Sequence, residues 1–504
     1  MLTIRRLILF FTIFLSCEIA CFGQNQVEIV FLQLNDTYEI APLANGTIGG
    51  LARVATVYKE LKNQNPHTFF VHAGDFLNPS VIGSLRFENQ RIRGRQMIEV
   101  MNAMGLQYVC FGNHEFDLEY EEVQARINES DFTWLATNIQ HILPDATVKD
   151  FSKTKNQIPE ALPKSLILTA GKVKIGLLGL MLPINRDYVK VHNADNEAIK
   201  AYNQLKDSTD FVVAITHQSI DEDRNLAQKI PELKLIMGGH EHENIAEKMG
   251  EVYIRKADAN AKTAFIHRLR YDLEKKTLQI RSELKKIDPS IPDDPLTAQV
   301  VNKWLNIANQ SFINLGFDPQ EIVLHLQEPL DGLEASVRNF PTNLTRLIAK
   351  ALLHTFPEAK AAIFNGGSIR IDDKLEGNLS EYDVLRILPF GGSLMAVEMK
   401  GRLLKKVLDI GKKNQGTGGY LQFENISFDK GKQNWLINNK LIKRNKYYLI
   451  AINEFLMSGK EANLDFLTEK HPDVRQIVKA DANNPLDTAR DIRKALIEYL
   501  KTVK

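Results

Sequence analysis

Cysteine is almost absent: the 504-residue chain has three, and Cys17 and Cys21 fall within its first 23 residues. Only Cys110 lies beyond them, which excludes a disulfide framework once an amino-terminal leader is removed. A surplus of one charge is missing too. Lysine and arginine number 63 against 62 aspartates and glutamates, a formal net charge of +1. That balance gives no electrostatic ground for binding a nucleic-acid polymer or an anionic membrane. Long apolar runs are lacking after the start: residues 7–15 form one, too short to span a bilayer comfortably. No repeat or low-complexity segment occurs. What remains is an ordinary globular composition, 44% hydrophobic and 25% charged. The chain is too long for one core, so two domains are expected.

Arg5 and Arg6 precede the apolar run, and small residues appear by Gly23. Residues 1–23 therefore read as a secretory signal peptide, which predicts a periplasmic or cell-surface protein. Lipidation at Cys17 or Cys21 is a minor alternative, because the residues before each fit a lipobox poorly. The oligomeric state leaves no trace in the sequence.

From Val27 onwards one pattern repeats: a β-rich apolar run, then a metal-ligand residue type at its carboxyl end. The run ending at Leu34 leads to Asn35 and Asp36, and the one ending at His72 leads to Gly74 and Asp75. Tyr108-Val109-Cys110-Phe111 leads to Gly112, Asn113 and His114. The run from Phe211 leads to His217, and that from Leu233 to Gly238-Gly239-His240-Glu241-His242. Helix-like periodicity fills the intervals, as in residues 51–61 and 92–104. Taken singly, an aspartate after a strand is usually a helix cap and a histidine a satisfied core residue. Five strand ends with the same chemistry differ, because a parallel sheet gathers its strand ends along one edge. Two aspartates, one asparagine and three histidines there suit Zn, Mn or Fe rather than Ca. Asp75 is placed to bridge two ions about 4 Å apart. His114, with Asp117 three residues on to orient its ring, suits work on a phosphoryl oxygen.

The order Asp36, Gly74-Asp75, Gly112-Asn113-His114-Glu115, His217 and Gly239-His240-Glu241-His242 resembles the calcineurin-like metallophosphoesterases. More narrowly it resembles the secreted bacterial 5′-nucleotidase family, which also includes UDP-sugar hydrolases and 2′,3′-cyclic phosphodiesterases. The resemblance implies that Asp36, Asp75 and His242 hold one metal ion, and Asp75, Asn113, His217 and His240 the other. The ions would be Zn, Mn, Co or Fe. It makes His114 the group that stabilises the transition state or protonates the leaving group, with Asp117 orienting it. The implied fold is α/β: a two-sheet sandwich with helices outside, joined by a linker helix to a second, mixed-sheet α/β domain. One departure stands out. The family opens with Asp-x-His, whereas this chain has Asp36-Thr37-Tyr38. Three readings of Tyr38 compete: a weaker first site, a phenolate ligand favouring ferric iron, or a solvent ligand in place of the ring.

The Pro/Asp-rich stretch 288–295 breaks the composition, and a helical pattern follows from Leu296 to about Asn309. The expected organisation is a signal peptide at 1–23, a metallophosphoesterase domain at 24–290, a linker at 291–318 and a substrate domain at 319–504. The second half carries Phe364-Asn365-Gly366-Gly367-Ser368-Ile369-Arg370 and Leu388-Pro389-Phe390-Gly391-Gly392. These resemble the family's specificity domain. By that resemblance Asn365, Gly367 and Arg370 contact polar groups of the substrate, Arg338 adds a further guanidinium, and Phe390 stacks on a nucleobase. Relatives place Gly-Gly-Asp-Gly-aromatic after a later strand, to cover the other face of the base. This chain has Ser458-Gly459-Lys460-Glu461-Ala462-Asn463-Leu464-Asp465-Phe466, so Phe466 is the candidate there, at altered spacing. In relatives the second domain rotates to deliver substrate, and residues 292–305 are the expected hinge. The expected reaction is hydrolysis of a small phosphomonoester, a nucleoside 5′-monophosphate first. Cyclic-nucleotide or UDP-sugar phosphodiesterase, broad phosphatase and non-catalytic nucleotide binding are the alternatives.

Overall fold

Alternation along the first strand sets the architecture. In Gln26–Leu34, Ile29 and Phe31 face one core while Val30, Leu32 and Leu34 face another, as the two-residue period of a strand requires. The computed structural model describes residues 25–484 and 486–503, so the segment read as a signal peptide lies outside the described residues. Gln26–Leu34 is the third strand of a six-stranded sheet ordered Thr277–Lys286, Thr263–Asp272, Gln26–Leu34, Thr68–His72, Tyr108–Cys110 and Thr133–Leu135. The last four run parallel. A second six-stranded sheet is ordered Ser165–Ala170, Val173–Met181, Phe211–His217, Leu235–Gly238, Val252–Lys256 and Ile245–Met249, with its middle four parallel.

Phe31, Val71 and Cys110 of one sheet meet Ile175, Val213 and Met237 of the other in a shared core. Helices Leu51–Gln64 and Arg95–Met104 cover the outside of the first sheet. Ala194–Leu205 and Ile220–Lys229 cover the second. This is the expected sandwich. The carboxyl ends of the parallel strands of both sheets meet along one rim, where Asp36 and Asp75, beyond strands of the first sheet, lie beside His217 of the second.

The second half is built on a five-stranded mixed sheet ordered Leu421–Glu424, Ala361–Asn365, Tyr447–Asn453, Leu394–Lys400 and Val474–Lys479. Helices Asn343–Thr355 and Ile492–Thr502 pack on one face and Gly401–Lys413 on the other. Between the halves runs helix Pro295–Asn314, capped where Asp294 Oδ1 accepts from Thr297 N at 2.9 Å, with proline in the first turn as helix starts favour.

The segment 292–305, where a hinge is expected, packs onto the first half. Asp294 takes the Lys59 ammonium at 2.5 Å, and Trp304 is fully buried with its Nε1 on Glu99 Oε2 at 3.0 Å and its ring beside Phe87. Further along, Phe312 packs against Tyr382 of the second half. One continuous core cluster runs through the first half, this helix and the second half.

A buried polar lock joins the halves directly. Glu39 accepts from Arg386 Nε at 3.1 Å and from the Tyr382 hydroxyl at 2.7 Å. Burial raises the Glu39 carboxyl above its ordinary range, against the pull of Arg386. Arg386→Met should therefore lower stability by about 3 kcal/mol, because removing one partner of a buried ion pair strands the other. Urea unfolding at neutral pH checks this, and an unchanged midpoint would deny the lock.

Candidate active site

Five loops leave the common rim, and four of the expected ligands sit on them with left-handed backbone: φ is +49° at Asp36, +62° at Asp75, +92° at His240 and +61° at His242. Non-glycine residues rarely adopt that region, and where they do the surroundings must enforce it. Here the loops brace one another. Asp36 Oδ2 accepts from His240 N at 2.9 Å, and Asp75 Oδ1 from His114 N at 2.7 Å. Gly239 has no room for a side chain, since a Cβ there would lie 2.6 Å from the Ala73 carbonyl.

The ligand atoms converge. Donor atoms of Asp36, Asp75 and His217 all lie within 4.8 Å of one another and all three residues are buried. His217 Nε2 is 3.0 Å from Asp75 Oδ2 and 3.9 Å from Asp36 Oδ1, while its Nδ1 is held at 2.7 Å by the Ala73 carbonyl. His242 Nε2 is 3.3 Å from Asp36 Oδ1. The His240 ring lies 5.4 Å from that of His217, centre to centre. Among the described residues Asn113 Oδ1 is buried without a hydrogen-bond partner, and so is Asp36 Oδ1. A buried oxygen without a donor is costly, and a cation between these groups relieves both. The residues present therefore fit a metal centre of mixed oxygen and nitrogen donors.

The electrostatics agree. Burial alone would raise the Asp36 carboxyl, but His217 and His242 hold it well below the usual carboxylate range. Burial would lower His217, yet Asp75 and Asp36 push it up to about 9. The carboxylates thus place strong negative potential at this point, which favours a cation there. The Tyr38 hydroxyl lies 3.3 Å from Asp75 Oδ2 and 3.1 Å from His242 Nε2. The phenol oxygen thus stands beside the ligand atoms of Asp75 and His242, and burial together with the Asp75 and Asp36 charges keeps it protonated, well above its ordinary range.

His114 opens the turn His114–Asp117 straight after Tyr108–Cys110. Its Nδ1 meets Asp117 Oδ2 at 2.7 Å, which leaves Nε2 free. The same oxygen takes Asn78 Nδ2 at 2.8 Å and Arg370 Nη2 at 3.0 Å. Burial raises Asp117, but the His114 bond and the Arg370 charge outweigh it and hold the carboxyl at about 2. Tyr38, Pro79, His114, His242, Arg370 and Asp372 line a narrow cleft between the halves.

Sequence reasoning gave no role to two buried charges that shape this site. Glu115 accepts from the backbone N–H groups of Asp75, Phe76, Leu77 and Gly112 at 2.6–3.1 Å, sewing two ligand loops together. Its place in Gly112-Asn113-His114-Glu115 was the available signal. Lys256 Nζ reaches the Gln218 and Gly239 carbonyls, Asp223 and Glu241 at 2.5–2.9 Å, tying the His217 loop to the His240 loop. No local motif marks it.

On the substrate side the structure divides the expected set. Arg370 stands in the cleft with Nε unpartnered, its guanidinium carbon 6.0 Å from the Phe390 ring centre, and that ring is 63% exposed. Arg338 pairs with Glu334 and is close enough to Arg370 for the two charges to oppose.

The other three expected residues are engaged within the second half. Asn365 is buried and its Oδ1 accepts from Ser368 Oγ at 2.7 Å and Asn453 Nδ2 at 3.0 Å, so it holds the turn. Gly367 gives its N–H to the Gly418 carbonyl at 2.8 Å and packs so closely that a Cβ would lie 2.9 Å from Gly418 Cα. Phe466 packs on the second-half core with its ring 3.5 Å from Lys406 Nζ, rather than across from Phe390. Counted along the motif, the aromatic position falls on Asn463, whose Nδ2 donates to Asn414 Oδ1 at 2.8 Å.

A rim of aspartate, asparagine and histidine ligands beside an oriented histidine is the centre of a metallophosphoesterase. Residues 29–244 match the calcineurin-like phosphoesterase family, and residues 323–469 match the 5′-nucleotidase C-terminal domain. The chain thus joins a calcineurin-like phosphoesterase domain to a 5′-nucleotidase C-terminal domain, and is a phosphoric ester hydrolase. It is similar to the 5′-nucleotidase of Bos taurus, 24% identical over 456 residues that cover 81% of this chain and 75% of that one. The 5′-nucleotidase precursor of Thermus thermophilus shares the fold, with a TM-score of 0.68 at 19% identity over 95% of this chain and 97% of that one. So does the sulfate thiohydrolase SoxB of the same organism, at a TM-score of 0.64, 16% identity and 94% coverage of each chain. At such identities the structural likeness is one of fold.

Proposed function

We propose that this protein is exported, through the leader at 1–23, to the periplasm or cell surface and there hydrolyses nucleoside 5′-monophosphates. The observation that carries this reading is the convergence of Asp36, Asp75 and His217, with His114 bonded beside them and Arg370 of the second half paired to Asp117 in the adjoining cleft. Among the described residues no helix is long and apolar enough to cross a membrane. In this reading 24–290 holds two ions, 291–318 connects, and 319–504 grips the substrate. Asp36, Asp75 and His242 hold one ion; Asp75, Asn113, His217 and His240 hold the other. When bound, the ions supply positive charge for the phosphoryl oxygens and acidify the attacking water. His114 Nε2 delivers a proton toward the leaving oxygen while Asp117 fixes the ring through Nδ1. Arg370, now paired with Asp117, turns its fork to the phosphate, with Arg338 behind it, and Phe390 carries the base.

One observation favours a second reading, a broad phosphomonoesterase. With Phe466 in the core and Asn463 at the aromatic position, only Phe390 remains to stack, and one lost face forfeits roughly 1–3 kcal/mol. Hydrolysis of AMP and p-nitrophenyl phosphate, on protein stripped of metal and refilled separately with Mn, Zn, Co or Fe, separates the two. Strong preference for AMP supports the nucleotidase; equal turnover of the aryl ester supports the broad enzyme. Silence with every metal would sink both. Phe390→Ala should raise KM for AMP by roughly 10-fold, as loss of one stacking face implies, and leave that for the aryl ester unchanged. Equal shifts would deny stacking.

A further inference from the structure

Two histidines face the Asp36–Asp75 pair through Nε2, and they are held in different ways. His217 gives Nδ1 to the Ala73 carbonyl at 2.7 Å, an acceptor in the first half just beyond strand Thr68–His72. The Nδ1 of His242 has no first-half acceptor among the described residues. It meets Asp372 Oδ2 at 2.9 Å and the Asp372 carbonyl at 3.2 Å. Asp372 lies 130 residues further on, in the second half. His242 also sits on left-handed backbone in a loop beyond its strand, so its own chain does little to fix the ring.

Asp372 is itself held firmly. Its Oδ1 accepts from Glu334 N at 2.5 Å, and its own backbone is left-handed, φ +40°. Both flanks of its loop are fastened to the first half: Arg370 to Asp117 at 3.0 Å and Asp373 to Lys262 at 2.5 Å.

We propose that Asp372 is a positioning residue for His242, so that the first metal position is completed only when the second half is seated on the first. The proposal rests on the metal reading given under Proposed function. A carboxylate on the far nitrogen of a ligating imidazole fixes its tautomer and orientation and raises its basicity, and its loss costs roughly 10- to 100-fold in metal affinity. Among the described residues, the second position, built from Asp75, Asn113, His217 and His240, draws no hydrogen bond or ion pair from the second half. One ion is then held independently of domain seating, and the other is coupled to it. A substrate that draws Arg370 and the metals together tightens that ion by the factor by which the ion tightens the substrate, as linkage requires.

The test is equilibrium dialysis of the metal-stripped full chain against graded Mn²⁺, with bound metal counted per chain. Wild type should take up two ions. Asp372→Ala should bind one ion unchanged and the other roughly 10- to 100-fold more weakly, while the metal-free variant melts at the wild-type temperature. Asp372→Asn keeps one oxygen for two donors, so it folds and shows a smaller loss in the same ion. Two ions bound by both variants with wild-type affinities would overturn the proposal and leave the metal reading standing. A wild type holding fewer than two ions would remove that reading, and the proposal with it. Equal weakening of both ions would also overturn it, because the coupling would then not be confined to His242.

Discussion

His114→Ala is expected to keep both metal ions and to lose roughly 10²–10⁴ in kcat, the range for a group that transfers a proton in the transition state. The separation of roles is visible in the geometry. His114 touches the ligand set through its backbone N–H, which donates to Asp75 Oδ1 at 2.7 Å, and alanine keeps that bond. The ring does different work, fixed by Asp117 at 2.7 Å with Nε2 left for the substrate. Binding of ions should therefore survive while chemistry slows. Metal content beside steady-state kinetics on AMP is the check. Wild-type turnover would take His114 out of the mechanism, and lost metal would turn it into a support of the site.

Asp75→Ala should be worse. Asp75 Oδ2 lies 3.0 Å from His217 Nε2 and 3.3 Å from the Tyr38 hydroxyl, and Oδ1 anchors the His114 loop. In the proposed reading one residue thus joins both metal positions and places the proton donor. Metal content should fall below one ion per chain, and activity by at least about 10⁴-fold, because groups that act as a unit fail as a unit. For the same reason the double variant with His114→Ala should be no slower than Asp75→Ala alone. Two ions retained in the single variant would refute the bridging role.

The sandwich was legible because the strands advertise themselves. Ile29 and Phe31 alternate with Val30 and Leu32, and each run stops at a ligand type on the same rim. Position along the chain and position in space coincide there. The missed features lack that coincidence. Asp372 meets His242 across 130 residues and Lys256 meets Gln218 across 38, so no local pattern announces either pair. Asn365 and Gly367 carry the family's residue types, but hydrogen bonds to Asn453 and Gly418 decide which way those groups are used. An aromatic beside a motif reads alike in sequence whether it faces a base or a core, and only the structure shows Phe466 packed against the second-half core. Prolines mark a break in composition at 288–295, but they do not foretell that Trp304 is buried against the first half.

The left-handed backbone at Asp36, Asp75, His240 and His242 narrows the alphabet of this metal centre. Outside glycine, the residues that best tolerate that conformation are asparagine, aspartate and histidine, and these are hard-oxygen and imidazole donors. Longer carboxylates and β-branched side chains are disfavoured there by the main chain before coordination is considered. Asp75→Glu should then fail to restore metal binding although it keeps the charge. Tyr38, which stands where the family this chain resembles has histidine, is under no such constraint, because its φ lies outside the left-handed region.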